Sequence, residues 1–185
     1  MLVVLDACVL YPASLRDLLL TIAALDAYDV AWTEEILEEV RRNVVADHPG
    51  IDPDRFTIHT LGAMRSAFPD ALVAGYDHLT ATLDNDPKDR HVAAAAIAAG
   101  ASAIVTINVA DFCSPVLDRA GVTVITPGQL VEGLLDEEAA IVVAAVEHLA
   151  RRWKRPPRSV AEILDLLARH PSMGPAVGRL RDLMG

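Results

Sequence analysis

Cysteine is almost missing from this chain, which has only Cys8 and Cys113. Two thiols cannot build a zinc site alone, and a single disulfide would be an odd fastening for a cytosolic core of this size, so buried free thiols are expected. The six histidines are scattered, leaving no His/Cys cluster at zinc spacing. Lysine is equally scarce, with Lys88 and Lys154 alone. Long apolar runs are missing too: the stretch near 139 to 150 is broken by charge well before the roughly 18 to 20 residues a membrane span needs. The opening MLVVLDACVL is apolar but has no basic leader and meets an acid at Asp6, which argues against a secretory signal. The expectation is a cytoplasmic protein with no membrane segment. Positive charge is in deficit, with 16 Lys+Arg against 26 Asp+Glu and a net charge of -10. Such a chain repels phosphate at a distance and is no general polyanion binder. Nucleic acid would have to be approached locally, and a carboxylate cluster loaded with metal ions is one way to present positive charge to phosphate.

What is present is enough apolar residue for one core. With 185 residues at 52% hydrophobic content, one main domain and an appended helical element are expected. LVVLD at 2 to 6 reads as a buried parallel strand with Asp6 at its carboxyl end, where open α/β sheets bind ligands. Helical spacing follows in SLRDLLLTIAAL, with Ser14 as candidate N-cap, and 30 to 33 is a second short strand. Thr33 is placed to cap the helix TEEILEEVRRNVV. A weaker helical pattern runs from Pro53 to about Ala67, and the region up to Leu83 is poorly legible. Asp86-Pro87-Lys88-Asp89 opens an alanine-rich helix that Gly100 closes, and 102 to 107 is a buried strand. A short helix at 114 to 120, a strand at 122 to 126 and a helix from Pro127 complete the βαβ pattern. Beyond Leu135 the chain is helical, and Ser159-Val160-Ala161-Glu162 spells a capping box.

Acids stand at several of these strand ends and helix starts. Asp6 set against LVVL costs desolvation unless a cation or donors compensate; the bland alternative is a strand-terminal turn residue. On the Thr33 helix, Ile36, Leu37, Val40 and Val44 form the apolar stripe, and Glu39 lies nearer its edge than Glu35 or Glu38. A solvated glutamate is an equal reading there. Asp86 suits an N-cap before Pro87, and Asp89 suits the helix dipole, though capping explains Asp89 less completely. Asp111, alone, reads as a loop acid.

Their order along the chain resembles the PIN-domain family. LVVLDACVL is similar to its opening strand with the first metal acid, Asp6, and WTEEILEEV to its helix with the second, matched by Glu39. DPKDRHVAAAAIAAGASAIVTINVADF is similar to its most specific stretch: Asp89 matches the third acid, and Thr106, Asn108 and Asp111 match a closing T-x-N-x-x-D-F pattern. The resemblance covers roughly residues 1 to 133, and within the family it is nearest to bacterial toxin ribonucleases of the VapC type. It implies an α/β fold, a PIN-like three-layer α/β/α domain with a central parallel sheet, at 1 to 133, with a C-terminal helical extension at 134 to 185.

The function so implied is metal-dependent hydrolysis of RNA phosphodiester bonds, leaving a 5′-phosphate and a 3′-hydroxyl. Asp6 and Asp89 would be the main metal ligands and Glu39 and Asp111 supporting or second-metal ligands. Thr106 and Asn108 would support the acids by hydrogen bonds, with Asp86 in reserve. Carboxylates this close could not all stay charged without cations, and all-oxygen donors suit Mg2+ or Mn2+. His91, roughly 200° around the helix from Asp89, is expected to pack or lie at the surface. Toxin resemblance also implies an antitoxin partner and a homodimer.

One further cluster is basic: Arg151, Arg152, Lys154, Arg155 and Arg158 surround Trp153. It suits contact with RNA phosphates and a base, or with a protein partner; equally, the cations offset a helix dipole while Trp153 anchors the tail. Arg16, Arg41, Arg42 and Arg90 are further candidates for phosphate. Two readings compete with the nuclease. A PIN-like binding module without catalysis would lack an acid, and no matched acid is missing. A haloacid-dehalogenase-like phosphatase wants an acid where this chain has Cys8, and a receiver wants a lysine after a later strand.

Overall fold

The computed structural model describes residues 1 to 154 and 156 to 185. Four short parallel strands form one sheet: β1 (Leu2–Leu5), β2 (Asp29–Ala31), β3 (Ala103–Val105) and β4 (Thr123–Ile125), in the order β2-β1-β3-β4. β1 and β3 are buried along nearly all their length, as their unbroken apolar runs require of a sheet covered on both faces. From β1 the chain goes to β2 on one side and returns to β3 on the other. The strand order therefore reverses at β1, and the crevice between the carboxyl ends of β1 and β3 is the topological switch point where open α/β sheets bind ligands. The register pairs Leu5 with Val105, so the next residue of each strand, Asp6 and Thr106, meets the other across that crevice.

Helices cover the sheet. The turn α1 (Ala7–Leu10) leads to α2 (Ala13–Ala24), and α3 (Glu34–Asp47) follows β2. Thr33 caps α3 as its sequence predicts, its Oγ1 accepting from the Ile36 N–H at 3.1 Å. Ser14 does not cap α2: Pro12 takes that position, and the Ser14 hydroxyl instead meets His170 Nε2 at 2.8 Å. The weak pattern from 53 to 67 is a helix of three parts, α4 (Pro53–Phe56), a π-helical turn (Thr57–Leu61) and α5 (Gly62–Ala67). The π turn widens the helix and shifts its apolar face, which is why no single period fits the segment. A short helix, α6 (Asp77–Thr80), precedes α7 (Arg90–Ala99), whose Val92 and Ala93 to Ala96 are wholly buried against β1 and β3. Alanine lets that helix approach the sheet closely. Gly100 closes it in the left-handed conformation at φ 63°.

After β3 come a 3-10 turn (Val109–Phe112), α8 (Pro115–Ala120), β4 and the long α9 (Pro127–Arg152), which opens on a capping box between Thr126 and Gln129 and breaks its helical path at Glu138. The tail adds α10 (Val160–Leu167), with the expected Ser159/Glu162 capping box, and α11 (Met173–Met184). α9 packs on α2, α10 and α11, and Leu130, Val142, Val146, Leu167, Val177 and Leu180 continue the core into the tail. The architecture is thus α/β, a parallel sheet between helical layers with a helical C-terminus. No helix among the described residues is long and apolar enough to cross a membrane. The cysteine expectation is corrected: Cys113 is exposed, while Cys8 is mostly buried.

Candidate active site

Asp6 ends β1 in the switch-point crevice and is 4% exposed. Its main-chain N–H donates to Val105 at 3.1 Å, continuing the ladder with β3, and its carbonyl accepts from Val9 and Leu10 to start α1. The carboxylate is thereby fixed between strand and helix. The Thr106 hydroxyl donates to Asp6 Oδ2 at 2.7 Å, and the Cys8 thiol donates to the same oxygen at 3.1 Å. Thr106, wholly buried, in turn accepts from the Asn108 N–H at 3.0 Å. Burial, reinforced by the charge of Asp6, pushes the Cys8 thiol up to about 12. Cys8 therefore stays protonated at neutral pH and serves as a donor, not as a nucleophile or thiolate ligand. No sequence pattern singled it out; its place two residues after a strand-terminal acid, in the first turn of α1, is the only local signal.

Asp89 enters the same end of the sheet from α7. Sequence placed the cap of this helix at Asp86, and the structure corrects that: α7 starts at Arg90 and Asp89 occupies the N-cap position. Asp86 instead turns the preceding loop, its Oδ1 accepting from the Lys88 N–H at 2.9 Å. Pro87 lies in that turn and not in the first turn of α7. Burial pushes the Asp89 carboxyl up to about 6, and the charges of Asp6, Asp111, Asp86 and Glu39 push it in the same direction. Four acids are thus within electrostatic reach of the Asp89 carboxyl. Among the described residues neither Asp6, Asp86, Asp89 nor Asp111 pairs with a lysine, arginine or histidine.

Glu39 and Asp111 act on Asp89 from two other elements, α3 and the 3-10 turn. Glu39 is half-buried at the edge of the Ile36, Leu37, Val40 and Val44 stripe of α3, as the periodicity predicts. Asp111 lies exposed in the 3-10 turn, held by its main chain: its N–H donates to Asn108 at 3.0 Å, and its carbonyl accepts from Asp86 at 3.2 Å. Asn108 acts through its backbone too, and among the described residues no hydrogen bond of its side-chain amide to another residue is formed. His91 is buried, and its imidazole stands 3.9 Å from Glu39 and 3.8 Å from Glu35. This burial agrees with the packing role expected of His91, while its approach to α3 is a long-range contact that helical spacing does not encode.

As they stand, no three His, Cys, Asp or Glu side chains among the described residues are grouped tightly enough to hold one metal ion. The donor set nevertheless fits a hard divalent cation. It is all oxygen, it ends in an acid that its neighbours drive toward protonation, and no basic side chain relieves that field. A cation would offset that repulsion and hold Asp89 ionised at lower pH.

The basic segment is elsewhere. Arg151 pairs with Glu147 at 3.4 Å, Arg152 lines a hollow with Asp17, and Lys154 is exposed. Half-buried Trp153 carries the Arg158 guanidinium 5.1 Å above its ring, so one face of the indole is taken. Arg155 lies outside the described residues. Of the other candidate phosphate contacts, Arg16 is buried and donates to the Leu10 carbonyl, and Arg41 is paired with Glu38. Arg42 is exposed, and Arg90 donates to the Asn85 carbonyl at 3.1 Å.

Comparison with known proteins gives two family matches. The PIN domain model matches residues 2 to 110, a span that contains Asp6, Glu39, Asp86, Asp89, Thr106 and Asn108 and stops one residue short of Asp111. The VapC50 C-terminal domain matches residues 127 to 171. A protein of Mycobacterium tuberculosis (strain ATCC 25618 / H37Rv), named "Putative ribonuclease VapC50", is 31% identical over 97 residues, which are 52% of this chain and 57% of that protein. The chain therefore spans little more than half the length of this relative. No solved structure matches.

Proposed function

The chain belongs to the PIN-domain family, VapC type, and from that premise we propose that it is a Mg2+- or Mn2+-dependent endoribonuclease, the toxin of a cytoplasmic toxin–antitoxin pair. The observation that supports this best is the half-buried Asp89, pushed up to about 6 by burial and by four surrounding acids beside the β1/β3 crevice. Asp6 and Asp89 would hold the ion, with Glu39 and Asp111 as supporting or second-metal ligands and Asp86 in reserve. Bound there, the ion would lower the pKa of a water for in-line attack on an RNA phosphodiester and stabilise charge on the leaving oxygen, giving a 5′-phosphate and a 3′-hydroxyl.

The chain's own residues do the rest. Thr106 and Cys8 hold one oxygen of Asp6 in a fixed direction, leaving the other free to face a ligand. Asp89 must be ionised to bind a cation, so cation affinity should rise with pH until Asp89 of the metal-free chain has lost its proton, at about 6. Residues 1 to 133 would form the nuclease body and 134 to 185 the extension, a division near the break of α9 at Glu138. A protein antitoxin and a second copy of this chain are the partners proposed on family grounds.

The test incubates the purified chain with mixed cellular RNA, with and without Mg2+ or Mn2+, beside Asp6→Asn and Asp89→Asn. Metal-dependent cutting by the parent and its loss in both variants are expected. Equal cutting by all three would sink the site, and no cutting by any would favour a PIN-like binding module.

A further inference from the structure

Beside Asp89 lies a hollow of about 420 Å³ whose lining includes Glu35 of α3, Thr80 of α6, Pro87, Lys88, and Arg90 and His91 of α7. Three observations make it more than a surface dent. First, near the acids the cations are mostly spent: Arg16 is buried on a carbonyl, Arg41 is paired with Glu38 and Arg65 with Glu34. Lys88 and Arg90 face the hollow without an acidic partner among the described residues. Arg90 is moreover anchored through its Nε on the Asn85 carbonyl, which leaves its two terminal nitrogens free.

Second, His91 is 8% exposed, and its Nδ1 is buried with no hydrogen-bond partner. A buried orphan of this kind is a group with a missing neighbour. Third, that nitrogen stands 3.8 Å from Glu35 Oε2, too far for a hydrogen bond, and the same oxygen accepts from the Tyr76 hydroxyl at 3.4 Å with acceptor capacity to spare. A hydroxyl that both donates and accepts can add a second donor to the carboxylate while exchanging a hydrogen bond with the ring nitrogen. A cation pair beside a carboxylate–imidazole gap is the chemistry of a ribose phosphate. The volume suits one nucleotide, and the site adjoins the proposed metal acids through Pro87 and Lys88.

We propose that this hollow receives the RNA nucleotide next to the bond that is cut, its phosphate on Lys88 and Arg90 and its ribose 2′-hydroxyl between Glu35 and His91. This rests on the ribonuclease reading and adds to it a means of telling RNA from DNA, since the 2′-hydroxyl is the group the two do not share. It also places the discriminating contact on α3, the helix that carries Glu39 one turn further on.

The experiment titrates a fluorescein-labelled, random-sequence eight-nucleotide RNA, and the DNA of the same design, against the full chain in the Asp6→Asn background with Mg2+, following anisotropy at several salt concentrations. Lys88→Ala and Arg90→Ala should each weaken RNA binding about threefold to tenfold and lower the slope of log affinity against log salt by about 0.7, the value for one phosphate contact on a single strand. Arg119→Ala, an exposed cation on α8, should leave the slope unchanged. Glu35→Ala should reduce the preference for RNA over DNA by about threefold or more, with little effect on DNA. His91→Asn should do the same, and because Glu35 is exposed its variant remains informative if the buried histidine cannot be replaced. Unchanged slopes, or an equal fall in Arg119→Ala, would overturn the subsite and leave the nuclease reading standing. Failure of the chain to bind RNA at all would overturn both.

Discussion

Asp6, Asp86, Asp89 and Asp111 at the carboxyl end of the sheet pair with no basic side chain among the described residues, while in the C-terminal helices several acids are matched by an arginine. Asp136 pairs with Arg179 at 2.7 Å, Asp165 with Arg181 at 2.6 Å, and Glu147 with Arg151 at 3.4 Å. These three tail acids are exposed and paired, so they cost the fold little. Those around Asp89 raise its proton affinity, and the fold tolerates it. A protein keeps an unneutralised cluster beside its switch-point crevice only at the expense of stability, and that expense is the usual signature of a functional site.

The largest expected effect tests that contrast directly. Asp89→Asn should lower metal-dependent RNA cutting by on the order of 100-fold or more, about 3 kcal/mol of transition-state stabilisation. The same variant should make the metal-free chain more stable. The folded-state pKa of Asp89, about 6, lies above its ordinary 3.8, so between those values the folded chain binds more protons than the unfolded one. Stability from this group is therefore lost as pH rises from about 4 to about 6. The Tm advantage of Asp89→Asn over the parent should grow through that window, level off above it, and shrink or reverse when Mg2+ is added. A metal-free variant less stable than the parent at pH 7 would mean that the cluster is not strained.

The opposite kind of damage belongs in the tail. A Cβ added at Gly128, in the first turn of α9, would lie 2.0 Å from the Ser172 carbonyl oxygen and 2.7 Å from its carbon. Neither is the flexible end of a side chain, so α9 and the start of α11 must separate. Gly128→Ala should cost about 2 to 3 kcal/mol, read as a fall in urea midpoint at unchanged m-value. RNA cutting per folded molecule should stay near the parent level, since nothing at the sheet end moves. Parallel loss of cutting and stability would show that the two regions are not separable.

How far this division was legible in the sequence depends on the range of the interactions. Asp6 and the Thr33 and Ser159 caps follow from local rules, strand ends and capping spacing, and they stand where those rules put them, whereas Thr106 is legible only through the family pattern. The α/β class followed from alternating strand and helix patterns. Ser14 was misassigned because its partner, His170, is 156 residues away. Asp86 and Asp89 are chemically equivalent candidates for one cap, and only the path of the turn at Lys88 decides between them. The packing role expected of His91 holds, but its partner helix and the part played by Cys8 depend on distant neighbours: Cys8 matters through Thr106 after β3 and His91 through α3, which no local pattern encodes. Cys113 is exposed because it sits in the loop between the 3-10 turn and α8, where burial preference has nothing to act on.

Thr106→Val sharpens the comparison from inside the site. Valine keeps the shape of threonine but removes the donor to Asp6 Oδ2 and the acceptor for the Asn108 N–H. Two polar groups lose a partner, one of them in the buried crevice, and a stability loss of about 1 to 2 kcal/mol follows. Cutting should fall about tenfold, because Asp6 keeps only the thiol of Cys8 to orient it. Loss of both properties together separates a supporting residue from Asp89, where activity and stability should move in opposite directions. A Thr106→Ser variant, which restores the hydroxyl, should recover most of the cutting.

The smallest effect is expected where the charges are already matched. Arg179 donates to Asp136 and also to the Glu132 carbonyl at 3.2 Å, but its side chain is 40% exposed and that of Asp136 68%. Water competes for both partners and salt screens them, so a double-mutant cycle of Arg179→Ala and Asp136→Ala should give a coupling of about 0.5 kcal/mol that fades in high salt. A coupling well above about 1 kcal/mol would place part of the tail's stability in its ion pairs. The contrast with the sheet end would then be one of paired charge doing structural work against unpaired charge doing chemical work. A small coupling leaves the tail held by Leu130, Val146, Val177, Leu180 and their neighbours.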